Sequence, residues 1–320
     1  MIPGGQGRAG KETPHPDRVA RVPDGKPAAP LKKHLSAVDT TPIQQLPTEE
    51  DVFDLQTGSG RQLLSLEEQH FFDIAGYALL PEVLDPGQIE ESRECLRSLA
   101  QTPSAGVSLR RGDDSEVELL NLIEAGGVLE EAMALPPVLR HLQALIWGRQ
   151  FRLVASRARI RGVGSRDRLT QGGKADPRRY ARYRCGPEGE FRCLLVTCLI
   201  ALDDTNEGNG AFCLIPGSHK CHLPHPYADR ELEEVPPLQD LPLAAGSAVI
   251  FTENVSHALR SPRLESQSWL EFQYGPSYME NWPGCEPSPD LLRRTQADPV
   301  KSHLLLAPYY HPAGSQKKMG

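Results

Sequence analysis

CLLVTCLIALDDTNEGNGAFCLIPGSHK, residues Cys193 to Lys220, decides the reading of the fold. Its first ten residues, Cys193 to Leu202, are almost unbroken apolar and predict a strand buried on both faces. A polar, Gly-rich turn follows at Asp203 to Gly210. A second short strand at Ala211 to Pro216 then runs into the loop Gly217-Ser218-His219-Lys220. Leu243 to Phe251 predicts a further strand, whose final stretch Gly246 to Phe251 delivers His257 just past its end. A rigid strand pair with a histidine at a strand exit suits a metal or substrate site at the mouth of a β-barrel.

Working outward, the chain upstream reads as helix and the chain downstream as strand. Ser65-Leu-Glu-Glu68 has the form of a capping box ahead of Phe71, Phe72 and Ile74. Ala75 to Leu80 reads as a short strand. Asp85-Pro86 opens a second helix with the aspartate as N-cap and proline at the first helical position. A third helix is predicted over residues 137–147, with Val138, Leu142, Leu145 and Ile146 on one side. Strands dominate from Phe151. Near the end, Leu270, Phe272 and Tyr274 face one way while Glu271 and Gln273 face the other. Helices first and strands later argue for a mainly β barrel or sandwich with helices packed outside. Residues 1–60, rich in Gly, Pro, Lys and Thr, read as a disordered tail, residues 61–285 as the folded domain and 286–320 as a C-terminal extension.

The formal charge of −7 excludes a generic nucleic-acid binder, and no apolar run is long enough to span a membrane. No apolar core of the signal-peptide kind is present near residue 1. Seven cysteines without paired spacing fit reduced thiols, hence a cytoplasmic protein. Cys193, Cys198 and Cys213 are expected to pack as small hydrophobes.

Several pieces together resemble the phytanoyl-CoA dioxygenase family: Phe72-Asp-Ile-Ala-Gly76-Tyr77 with Leu79-Leu80-Pro81, Ile200 to Asp204 through Gly210, Ile215-Pro-Gly-Ser-His219-Lys220, and Gly246 to Phe251 with His257. The likeness implies a double-stranded β-helix (a cupin-like jelly-roll) and, in active members, Fe(II) and 2-oxoglutarate acting on a small or acyl substrate. It implies two histidines and one carboxylate on the metal. It also implies a basic side chain for the distal carboxylate of 2-oxoglutarate. The usual His-x-Asp is missing before the long strand; the only one is His15-Pro16-Asp17. Some members instead carry His-Gly-Gly followed by Asp-Pro and a Tyr, and here Thr170-Gln171-Gly172-Gly173, Asp176-Pro177 and Tyr180 stand in that place. The resemblance therefore implies His257, Gln171 and Asp176 as metal ligands, against the alternative that the latter two are loop residues facing water. The cosubstrate arginine falls on Gln267 and Ser268, leaving Arg260 and Arg263 as cofactor-binding candidates or as a solvated loop pair. Two functions stay open: a hydroxylase with an altered ligand set, or an inactive binding or scaffold module that needs no cofactor.

His219, His222 and His225 with Cys213 and Cys221 offer a zinc reading, although the spacing matches no finger pattern. Residues 149–192 hold twelve arginines and Lys174 against four acids. Arg157, Arg159 and Arg161, spaced by two, share one face of a strand. That face either binds an anionic small-molecule substrate or pairs with the chain's own acids.

Overall fold

The computed structural model describes residues 63–112, 115–146, 151–165, 168–170, 183–186, 191–221, 223, 226–227 and 230–308. Helix α1 (Leu66–Ala75) starts on Ser65, and the capping box with Glu68 forms in both directions. It ends at Gly76, whose φ of 85° turns the chain into β1 (Tyr77–Leu80). Helix α2 (Pro86–Gln101) starts as expected on Asp85, which makes a reciprocal box with Gln88. A hairpin of β2 (Ser108–Arg111) and β3 (Glu116–Leu120) follows. Two short helical segments, α3 (Gly127–Glu131) and α4 (Pro136–Leu145), lead to the long β4 (Phe151–Arg161).

The remaining strands are β5 (Val196–Ala201), β6 (Phe212–Leu214), β7 (Gln239–Leu241), β8 (Ala248–Thr252), β9 (His257–Leu259) and β10 (Gln267–Pro276). Helices α5 (Pro289–Thr295) and α6 (Pro299–Leu304) follow them. One antiparallel sheet runs β1-β8-β5-β10-β4-β3-β2; a smaller one runs β7-β6-β9. Every residue of β5 is buried, as its apolar run predicts.

The large sheet has apolar side chains on both faces. Leu270, Phe272 and Tyr274 of β10 join the helices in the main core, and the Tyr274 hydroxyl donates to the Met133 carbonyl at 2.7 Å. The opposite face, with Trp269, Leu199 and Phe251, packs on Phe212, Leu214 and Leu259 of the small sheet. Leu291, Leu304 and Leu305 belong to the main core, so that core continues past residue 285.

Two elements differ from expectation. The strand predicted from Leu243 begins only at Ala248. Before it, the Leu243 backbone is paired with Thr205, whose hydroxyl accepts from Leu243 N at 2.8 Å and whose N–H donates back at 2.9 Å. The β2–β3 hairpin was not anticipated, because Arg110, Arg111, Glu116 and Glu118 on this edge mask the apolar alternation. The third helix ends at Leu145, and Ile146 leaves it in an extended conformation that bridges to Cys193; Trp147, the last residue of its expected span, and the N-terminal tail lie outside the described residues.

Candidate active site

The inner face of the large sheet carries the polar side chains. Arg157 sits across from Glu271, Arg159 from Trp269 and Arg161 from Gln267 in the β4–β10 register. The arginine row is matched mainly to the chain's own acids. Arg157 Nε meets Glu271 Oε1 at 3.1 Å, and Arg159 Nε meets Glu116 Oε1 at 2.5 Å. Arg161, wholly buried, donates to the Arg260 carbonyl at 2.9 Å.

Next along β10, Gln273 works as a hub. Its Oε1 accepts from Arg157 Nη2 at 3.2 Å and Trp282 Nε1 at 2.8 Å. Its Nε2 donates to Glu253 Oε1 at 3.1 Å and to Thr197 Oγ1 at 3.4 Å. The Thr197 hydroxyl also donates to Glu253. Beside this hub lies a cavity of about 70 Å³ whose walls include Arg159, Thr170, Thr197, Glu253, His257 and Glu271.

His257 reaches that wall because β9 starts on it, a short turn after β8. Its Nδ1–H donates to the Val255 carbonyl at 2.9 Å, which makes Nε2 the acceptor nitrogen of the neutral ring. Thr170 and His257 exchange backbone hydrogen bonds of 2.9 and 3.3 Å. Gln171 is the next residue in the chain after Thr170, but Gln171 and Asp176 both lie outside the described residues.

Arg260 and Arg263 do not line the cavity. Arg260 is bound by Asp240 at 2.9 Å and Glu233 at 3.3 Å. Arg263 is exposed and is fixed through its backbone N–H to Asn209 Oδ1 at 2.7 Å. Gln267, where the resemblance expects a cosubstrate arginine, is buried and donates to the Asp204 carbonyl at 3.3 Å. Gly210 packs flat against it: a Cβ there would fall 1.4 Å from Gln267 Oε1.

The zinc reading finds no cluster among the described residues. His219 is buried and bonded through Nε2 to the Asp73 carbonyl at 3.0 Å, with its ring edge-on to Tyr183. Lys220 Nζ lies 2.9 Å from Asp73 Oδ2, and Tyr183 donates to the other oxygen. His219 and Lys220 therefore clamp their loop onto α1. His222 and His225 lie outside the described residues. Among the described residues, no group of three or more His, Cys, Asp or Glu side chains is placed to hold a metal ion.

Glu253, Thr197, Gln273, Glu271 and Arg159 line or brace the cavity and were not named as site residues from the sequence. Glu271 and Gln273 were legible as the polar side of β10. For Glu253 the available signal was a charged residue at a strand exit, four positions before His257.

Two antiparallel sheets face to face, with helices on one outer face and polar groups between the sheets, define a double-stranded β-helix of the cupin-like jelly-roll type. The chain belongs to the phytanoyl-CoA dioxygenase family, whose model matches residues 72–261. Its fold is similar to HygX from Streptomyces hygroscopicus, solved with nickel and 2-oxoglutarate, at a TM-score of 0.60 and 22% identity over 71% of this chain and 94% of HygX. HygX has also been solved with hygromycin B bound, at a TM-score of 0.58 and 20% identity over the same shares of the two chains. A further similar structure is apo EctD from S. alaskensis, at a TM-score of 0.52 and 15% identity over 69% of this chain and 80% of EctD. No curated protein matches the chain in sequence. Among the described residues, no helix is long and apolar enough to cross a membrane.

Proposed function

We propose that this dioxygenase-like protein uses its barrel to bind a small molecule, without the 2-oxoglutarate-dependent hydroxylation implied by the resemblance. One observation carries the reading. Around the cavity, the described guanidinium groups are already engaged by the protein itself: Arg157 by Glu271, Arg159 by Glu116, and Arg260 by Asp240 and Glu233. The position for a cosubstrate arginine holds Gln267, closed in by Gly210. A neutral amide cannot replace the charge-assisted, two-pronged contact that arginine makes with a carboxylate. The described residues thus do not fit 2-oxoglutarate.

The hydroxylase reading keeps one observation in its favour, the place of His257 in the cavity wall with Nδ1 committed to Val255 and Nε2 left as the acceptor. In that reading His257 binds Fe(II), Gln171 or Asp176 completes the site, and either Arg260, released from Asp240 and Glu233, or the exposed Arg263 holds 2-oxoglutarate. Calorimetric titration of 2-oxoglutarate into the full chain, with and without Fe(II), separates the two. No heat at millimolar ligand supports the binding reading. Tight, Fe(II)-dependent binding that is lost in His257→Ala would replace it with the hydroxylase.

A further inference from the structure

We infer that the cavity beside Gln273 takes a neutral ligand that joins a small hydrocarbon part to hydroxyl groups, such as a short diol or the diol end of a larger molecule. The inference deepens the proposed function and rests on it, because it names the class of small molecule that the barrel binds.

The inner face of the large sheet changes character at one level. On β5 this face runs Ala201, Leu199, Thr197, and on β10 it runs Trp269, Glu271, Gln273. The register sets Trp269 beside Ala201 and Gln273 beside Thr197. On β8, Phe251 stands beside Thr197, and Glu253 follows directly after the strand end. On β9 of the small sheet Leu259 gives way to His257. The cavity lies across this boundary: Leu199, Phe212, Phe251 and Leu259 form its apolar part, and Thr197, Glu253, His257 and Glu271 its polar part. Ring centroids stand 4.6 Å apart for Phe251 and His257, and 4.9 Å apart for Phe212 and Phe251. A packed aromatic wall therefore joins the two parts.

The charges of the polar part balance within the protein. Glu271 meets Arg157 at 3.1 Å, and Glu116 meets Arg159 at 2.5 Å. Glu253 accepts from Gln273 at 3.1 Å and from the Thr197 hydroxyl. The Arg157 guanidinium is held in its charged form first by Glu271 and, against the cost of burial, by Glu118 and Glu253 as well. A charged ligand group would lose its hydration here and meet only countercharges already paired, whereas a neutral group leaves the set intact. The wall still offers hydrogen bonds of both kinds: the carboxylates and His257 Nε2 accept, and Arg159 donates. A hydroxyl matches such a wall because it donates and accepts through one atom. The cavity of about 70 Å³ is small against the roughly 300 Å³ or more of a drug-sized pocket, so it suits a ligand of a few carbons or the end of a longer one.

The experiment compares four molecules of similar size and different charge: 1,2-propanediol (neutral), lactate (anionic), 1-amino-2-propanol (cationic) and alanine (zwitterionic). Each is titrated into the full chain at pH 7.5 without added metal. The His257 imidazole resonances, identified by their contacts to the Phe251 ring, are followed by NMR. The expected result is a saturable, single-site shift with 1,2-propanediol, in the millimolar range open to so few atoms. The three charge-bearing molecules bind at least about tenfold more weakly. Glu253→Gln takes one negative charge from the set beside Arg157, and raises the affinity for lactate relative to the diol by about tenfold. Glu94→Gln, on the exposed side of α2, changes neither affinity. A melting curve that superposes on wild type certifies the fold of Glu253→Gln; if that variant does not fold, the wild-type series decides alone. Equal or tighter binding of lactate, 1-amino-2-propanol or alanine overturns the inference and leaves the barrel a binder of another class. A diol shift that never saturates, or an unchanged lactate preference in folded Glu253→Gln, also overturns it. Tight Fe(II)-dependent binding of 2-oxoglutarate would instead remove the proposed function beneath it.

Discussion

Replacing Gln273 by Leu is the most informative single perturbation of the barrel interior. The two side chains are close in size, so the change removes hydrogen bonds without opening a large cavity. Four are lost: from Arg157 and Trp282 onto the amide oxygen, and from the amide nitrogen to Glu253 and Thr197. Arg157 keeps Glu271, and Glu253 keeps the Thr197 hydroxyl. The full cost of a stranded buried polar group is about 1–3 kcal/mol. Applied mainly to the indole N–H and the second guanidinium arm, with a discount for their partial exposure, this gives a loss of about 2–4 kcal/mol. Equilibrium unfolding in urea, followed by the fluorescence of the buried Trp269, reads this directly as a lower midpoint at unchanged slope. A loss below about 1 kcal/mol would show that water already satisfies these groups and that the hub does not brace the cavity.

Gly76→Ala is expected to cost about 2–5 kcal/mol in the same assay. A left-handed backbone costs an alanine about 1–2 kcal/mol, and overpacking adds about 1–3 kcal/mol. The new Cβ would lie 2.5 Å from both His219 Nδ1 and Val255 Cγ2. Stability should also fall on acidification through the ordinary histidine value of about 6.5. Burial holds His141 below its usual range, more than its bond to the Pro137 carbonyl raises it, and burial does the same to His303. The unfolded chain therefore binds protons first, and stability rises with pH across that window. In thermal melts from pH 7.5 to 5.5, a flat midpoint would contradict this. A second decline is expected in the carboxylate range. Burial raises Asp73 and Glu130, but Lys220 and Tyr183 on the one, and Arg294 and Lys301 on the other, hold both below their usual values. Their contribution is present above the unfolded carboxylate value and is lost as pH falls through the lowered one.

The framework was legible where local chemistry is strong. The Ser65 and Asp85 caps, the doubly buried β5 and the two-faced β10 each follow from residue type and period alone. What escaped depended on partners distant in sequence. The β2–β3 edge carries charges that hide its alternation. The Leu243 segment is held out of the sheet by a threonine hydroxyl 38 residues away. The site shows the same division. His257 could be read from its place at a strand exit. Glu253 looked like an ordinary turn acid until the β8–β9 turn brought it to the wall shared with His257. No spacing rule reports that Arg260 is already occupied by Asp240 and Glu233.

On the proposed function, this chain keeps the barrel of its family while the groups that hold 2-oxoglutarate have been exchanged. The most direct test is succinate formation by the full chain supplied with Fe(II), O₂, ascorbate and 2-oxoglutarate. No succinate above the protein-free background is expected. Succinate release by the wild-type chain that disappears in His257→Ala would contradict it.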